Sequence, residues 1–230
     1  MKNIVSLHVP KTGGTLFKDY LFSFKNDVKF FDYGEGSVNT KLFFKNKNVE
    51  CSNYEEYISQ FNKLIDMNYT FIIHGHFNIR KYYHLKGYVD FITWIREPLR
   101  RLLSLYNYWS FHKPKKLIPQ YIYFKDKKPS FEEFASDPLF SNQLHRYLNF
   151  TLNEYSFIGI LDYITFSYDI LDYKYNPQSN GPHDLSVRNP SQKKIVNHYT
   201  LNSKILNYNL TDYNLYSDCL KMFFNVNIST

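Results

Sequence analysis

The chain has 230 residues, a length that suits one domain with a real hydrophobic core. Its 28 Lys and Arg against 21 Asp and Glu give a net charge of +7, which favours anionic partners. Two cysteines, Cys51 and Cys219, exclude a disulfide framework, and no run approaches the ~20 apolar residues needed to span a bilayer.

The first strand is expected from about residue 4, which leaves no room for a signal peptide and points to a soluble, cytoplasmic chain. The apolar run ends at Pro10, and Lys11-Thr12-Gly13-Gly14-Thr15 follows, then a helix over residues 16–24. Strand, glycine loop and helix in that order make a phosphate cradle. Glycines let backbone N–H groups approach an anion, and the helix start adds unpaired donors and a positive dipole end. Lysine stands before the glycines, so this is not a Walker A loop, whose lysine follows them. Taken alone, the stretch also fits a plain strand-to-helix turn.

Residues 29–32 read as a short strand and residues 34–48 as irregular. Ser52, with Glu55 three residues on, predicts a capped helix with apolar positions at helical spacing through Ile65. Residues 69–73 read as a strand running into His74-Gly75-His76. Residues i and i+2 of an extended segment point the same way, so both imidazoles are expected to face one cleft. An imidazole there can take a proton from an alcohol near neutral pH. A zinc site would need a third ligand at useful spacing, and none follows.

Residues 88–95 are almost continuously apolar, as buried parallel strands are. Arg96-Glu97-Pro98 ends that strand, and Pro98 opens a helix to about residue 109 with a Leu99, Leu102, Leu103, Tyr106, Trp109 stripe. Arg96 therefore stands at a strand's carboxyl end, where open α/β sheets bind ligands. Arg100, Arg101 and Ser104 are expected on the face opposite the leucines, able to grip a second phosphate or simply to form surface ion pairs. Residues 112–128 read as a basic, aromatic surface excursion. Short helices are expected from Ser130 and over residues 141–149, a strand over 156–161, and a helix over 165–171. Residues 174–189 read as a mobile loop, and helices near 191–199 and 212–224 close the chain. Alternating strands and helices make this an α/β chain with a parallel sheet.

Three stretches together resemble the PAPS-dependent carbohydrate sulfotransferases, the branch that includes the heparan sulfate 2-O-sulfotransferases. Pro10-Lys11-Thr12-Gly13-Gly14-Thr15 matches the family's P-K-T-G-[GS]-T loop for the 5′-phosphosulfate. Arg96 to Tyr106 matches its R-[DE]-P-x-x-R-x-x-S-x-[YF] segment for the 3′-phosphate, and His74-Gly75-His76 its H-G-H. Weaker echoes are Asn142 to Leu148, with His145 in place of a family threonine, the strand around Gly159 with Ser167 beyond it, and a closing helix in 210–224.

The resemblance implies a single domain over 1–230: a three-layer, P-loop-like α/β fold whose central, mainly parallel sheet is flanked by helices. Residues 110–150 and 174–190 would be excursions on the acceptor side. It implies transfer of a sulfuryl group from PAPS to a carbohydrate hydroxyl, with PAP as product, no metal and no nucleic-acid partner. Lys11, Thr12, Gly13, Gly14 and Thr15 would hold the 5′-phosphate, with Lys11 also meeting charge on the leaving oxygen, and Arg96 and Ser104 would hold the 3′-phosphate. His76 would be the base, and His74 would assist or orient the acceptor. Arg100, Arg101, Arg146, Arg188 and Lys193 would contact an acidic glycan. Two other classes compete: a P-loop kinase, which wants a lysine after the glycines and a Mg²⁺-binding Asp, and a non-catalytic polyanion-binding module.

Overall fold

The computed structural model describes residues 2–32, 41–44, 47–50, 56, 59, 62–63, 65–114, 118–148, 151–177 and 199–228. The chain divides into two compact units: residues 1–94 with 148–185, and residues 95–147 with 186–230.

The first unit is α/β. Its seven-stranded sheet runs β4-β3-β2-β5-β1-β6-β7. The strands are β1 (Asn3–Leu7), β2 (Val28–Asp32), β3 (Lys41–Phe44), β4 (Lys47–Glu50), β5 (Phe71–Gly75), β6 (Val89–Ile95) and β7 (Phe157–Ile160). β2, β5, β1 and β6 are parallel, and β3 and β4 add an antiparallel hairpin beyond β2. β1 lies between two parallel neighbours, and all of Ile4 to Leu7 is buried. This burial explains its apolar run, broken within Ile4 to Leu7 by Ser6 alone.

Helix α1 (Gly14–Ser23) presents Phe17, Tyr20 and Leu21 at helical spacing. They pack on Ile4, Ile72, Ile92, Trp94 and Phe157 of the sheet, together with Tyr168 and Leu171 of a second helix, Ile164–Tyr175. One sheet face is thus covered by two helices and filled largely with aromatic rings: Tyr20 lies edge-on to Tyr168, and Trp94 is tilted against Phe17.

The second unit is helical. Helix α2 (Pro98–Phe111) starts as expected, with Pro98 in its first turn and both Glu97 carboxylate oxygens accepting from the N–H groups of Leu99 and Arg100. Helices α3 (Pro119–Lys127), α4 (Phe131–Ala135), α5 (Gln143–Tyr147), then α7 (Ser203–Tyr208) and α8 (Leu210–Ile228), complete it, the 164–175 helix of the first unit being α6. Leu99, Leu102, Tyr106 and Trp109 of α2 pack with Tyr121, Phe124, Phe131, Phe134, Phe140 and Ile205.

The expected elements at 16–24, 29–32, 69–73, 88–95, 156–161 and the short helix from Ser130 are all present within a residue or two at most boundaries, the last opened by a capping box of Ser130 and Glu133. Three expectations change. Residues 41–44 and 47–50 are strands, not irregular chain, because they extend the sheet by pairing with β2. Residues 119–127 are a helix rather than a loose excursion, since Pro119 opens it and Tyr121 and Phe124 bury one side. Residues 203–208 form a helix that was not expected, capped by the Asn202 side chain. The expected cap at Ser52 with Glu55 lies outside the described residues, as do residues 178–189 of the loop expected over 174–189 and residues 191–198 of the helix expected near 191–199. Residues 174 and 175 end the Ile164–Tyr175 helix instead of opening that loop.

Asp212 holds the second unit together locally. Buried, it accepts from the N–H groups of Leu144 and His145, so it caps α5 from a distant part of the chain. Its neighbour in charge is Arg101, which is only 1% exposed. Burial opposes both charges and each supports the other. Asp212→Asn leaves the Arg101 charge buried without its counter-charge, and should destabilise the protein by ~3 kcal/mol in urea unfolding. An unchanged midpoint would contradict this account.

Candidate active site

Parallel strands deliver their carboxyl ends to one edge of the sheet. Leu7 of β1 is in register with Gly75 of β5 and with Thr93 of β6, and Asp32 of β2 with Gly75. After β1 the chain crosses to β2, and after β5 it crosses back over β1 to β6. Connections leaving in opposite directions open a crevice at the end of β1, where α/β sheets bind ligands. Residues 8–15 and 74–76 emerge there.

The loop after β1 is tightly wound. Lys11 has φ 70° and Gly13 has φ 86°, both in the left-handed region. For Lys11 this conformation costs ~1–3 kcal/mol, which the surrounding loop must sustain. The buried Thr12 hydroxyl donates to the Val9 carbonyl at 2.8 Å and closes the turn. Gly13 caps α1 without any side-chain bond, and the first turn of α1 carries no acidic residue. A helix start of this kind is chemically suited to an anion. Thr15 is exposed and Lys11 half-buried.

Beside the loop stand three histidines. His74 and His76 both stack on the ring of His8, at centroid distances of 5.3 and 4.2 Å, so the two do face the same side as their spacing predicts. His76 Nδ1 lies 2.6 Å from the His8 carbonyl oxygen. A carbonyl only accepts, so Nδ1 carries the proton, and in the neutral ring Nε2 is left with its lone pair. Burial lowers the His76 pKa while the bond to His8 opposes that shift, the net direction being down. The ring is thus neutral at pH 7, in the tautomer a base requires.

His74 is fully buried, with Nδ1 2.9 Å from the Ser6 hydroxyl. Its place inside β5, edge-on to Phe17, corrects the expectation that it meets an acceptor: it supports the neighbouring rings. Burial, then repulsion from His76 and Lys18, pushes its pKa down to about 3. His8 is held well below the usual imidazole range by burial, then by His76, His74 and Lys11. Among the described residues no group of three or more His, Cys, Asp or Glu is disposed to hold a metal ion.

The remaining predicted residues belong to the second unit. Arg96 follows β6 directly and precedes the Glu97 cap of α2, and Glu97 also accepts from the Tyr213 hydroxyl at 2.6 Å. Ser104 is half-buried and Arg100 exposed. Arg101, expected beside them, is buried against Asp212, because residue 101 turns toward the α8 side of the helix; it is not available to a glycan. Arg146 is exposed and donates to the Pro138 carbonyl at 2.9 Å. Arg188 and Lys193 lie outside the described residues. Sequence reading missed Ser6 and His8. Their signal was the period of two: Ser6 is in register with His74, which sets His8 beside His76.

A family model described as "Sulfotransferase family" matches residues 1–188. The chain belongs to the sulfotransferase family. Among solved structures, a mouse sulfotransferase, SULT7A1, complexed with PAP aligns at 12% identity with a TM-score of 0.41. That alignment covers 78% of this chain and 60% of the mouse chain. No curated protein matches. In this sulfotransferase-family chain, the match takes in the loop, the histidines and α2, and stops short of α7 and α8. No helix among the described residues is long and apolar enough to cross a membrane.

The buried imidazoles make stability pH-dependent. A histidine whose folded pKa lies below its unfolded value stabilises fully above the unfolded pKa and loses that contribution as pH falls. For His74 the window runs from 6.5 down to about 3. Acid unfolding should therefore begin below pH 6.5, with a loss of ~3 kcal/mol from this group by pH 4. His74→Asn should flatten that slope in urea titrations, and parallel wild-type and variant slopes would contradict it.

Proposed function

We propose that the protein transfers a sulfuryl group from PAPS to a hydroxyl of a carbohydrate acceptor, with His76 as base. The observation that carries this reading is the His76 ring, fixed in its Nδ1–H tautomer by the His8 carbonyl, beside an uncapped helix start behind a lysine–glycine loop. PAPS supplies the sulfuryl group and its phosphate is the leaving group. The loop fits it: two left-handed residues wind the backbone, no carboxylate occupies the first turn of α1, and no side chain caps its N–H groups.

The backbone donors of Thr12, Gly13, Gly14 and Thr15 bind the 5′-phosphate. Lys11 adds a full positive charge and stabilises negative charge on the departing oxygen. His76 takes the acceptor's hydroxyl proton at Nε2. Arg96 and Ser104 are assigned to the 3′-phosphate on their motif, and Arg100, Arg146, Arg188 and Lys193 to an acidic acceptor on their charge. Fixed charges and positioning provide the catalysis, as in phosphoryl transfer. Residues 1–230 are read as one functional domain. A net charge of +7 favours an acidic glycan over a neutral small molecule.

The test is PAPS-dependent sulfation of a panel of acidic oligosaccharides, phenols and peptides. The expected result is transfer to an oligosaccharide, and a fall in kcat of about 10²–10⁴ in His76→Gln, with PAP affinity kept. Because burial lowers the His76 pKa, the acidic limb of the wild-type profile should fall below pH 6.5. Unchanged turnover in His76→Gln would contradict the assignment of the base.

A further inference from the structure

We propose that His8 is the positioning residue that holds the His76 ring and ties it to the phosphate loop. The inference rests on His76 acting as base, and its own evidence is geometric. His8 is the first residue beyond β1, and it bonds in both directions to the segment that carries His76. Its N–H donates to the Gly75 carbonyl at 2.7 Å, and its own carbonyl accepts from His76 Nδ1 at 2.6 Å. Residues 75 and 76 are therefore fixed against the backbone N–H and carbonyl of residue 8.

The His8 side chain completes the hold. Its ring lies 4.2 Å from that of His76 with 24° between the planes, a stacked wall along one face of the base. The Nε2 edge of the His8 ring faces the loop: a Cβ placed on Gly14 would come within 1.7 Å of His8 Nε2. No residue with a side chain fits at 14 while the ring stays where it is. Gly14 thus serves two ends, close approach of an anion and room for His8. The ring's own Nδ1 is buried with no hydrogen-bond partner among the described residues. Its contact with His76 is through its plane, so the plane rather than the ring's nitrogens is what the site uses.

The chemistry follows from this. A rotated His76 would lose the bond at Nδ1, and the proton could then sit on either nitrogen. Only the Nδ1–H form offers a lone pair at Nε2, so loss of the wall lowers the fraction of competent base and misdirects the rest. A displacement of ~1 Å at a reacting group costs about 100-fold in rate. Donor binding, which uses the loop backbone and Lys11, is affected much less.

The experiment compares wild type with His8→Phe, which keeps a flat ring, and His8→Ala, which removes it. The ring nitrogens of His76 are observed by ¹⁵N NMR in the unliganded protein, alongside kcat and PAP affinity. Wild type and His8→Phe should show His76 in the Nδ1–H form, with kcat in His8→Phe falling less than about five-fold. His8→Ala should show mixed tautomers and a kcat about 100-fold lower, with PAP affinity within about three-fold. Should His8→Ala not fold, His8→Leu makes the same comparison, filling the space without a plane. An unchanged His76 tautomer and kcat in His8→Ala or His8→Leu would overturn the proposal, as would equal losses in His8→Phe and His8→Ala. If wild type neither binds PAP nor transfers sulfuryl groups, the functional reading fails, and the NMR comparison still decides the role of His8.

Discussion

Two hydrogen bonds to the backbone of one residue organise the site: His8 N–H to the Gly75 carbonyl, and His76 Nδ1–H to the His8 carbonyl. The first extends the β1–β5 ladder one step past the strand ends, and the second ties the His76 side chain to the same residue. Gly75 makes this possible. A Cβ there would lie 1.5 Å from the Asp32 carbonyl oxygen, so β2 and β5 could not keep their register with any other residue. The loop after β1 and the histidine segment are thereby parts of one hydrogen-bonded edge rather than two independent loops.

That edge is held under tension. Lys11 occupies a backbone region that favours glycine, and three imidazoles are packed ring on ring in neutral form. Each feature opposes folding and each suits an anion-transfer site. A lysine in the left-handed conformation keeps its charge at the loop, and neutral rings keep a lone pair available at pH 7. The cost is offset by the aromatic core beneath, where Phe17 meets both His74 and Trp94. The second unit shows the same economy with Asp212, which caps one helix while countering a buried arginine.

Much of the first unit was legible because local signals and tertiary placement agree in it. β1, β5 and β6 are apolar runs buried on both faces, and the glycines after β1 mark the loop whatever surrounds them. The β3–β4 hairpin was not legible: Lys41–Phe44 and Lys47–Glu50 have no strict alternation, and they are strands because β2 offers an open edge. Arg101 misled for a similar reason. Its charge reads as surface, yet its helix position faces Asp212, more than a hundred residues away in sequence. In the site, the H-G-H segment announced itself, whereas His8 did not, since its role comes from strand register and from a ring fitted over Gly14.

The account depends on the loop after β1 being a nucleotide phosphate site. Calorimetric titration with adenosine 3′,5′-bisphosphate, beside ADP and AMP, tests that most directly. Tight binding of the bisphosphate, clear preference over ADP, and a loss of affinity in both Lys11→Ala and Arg96→Ala are the predicted results. No binding, or equal binding of ADP, would contradict the account.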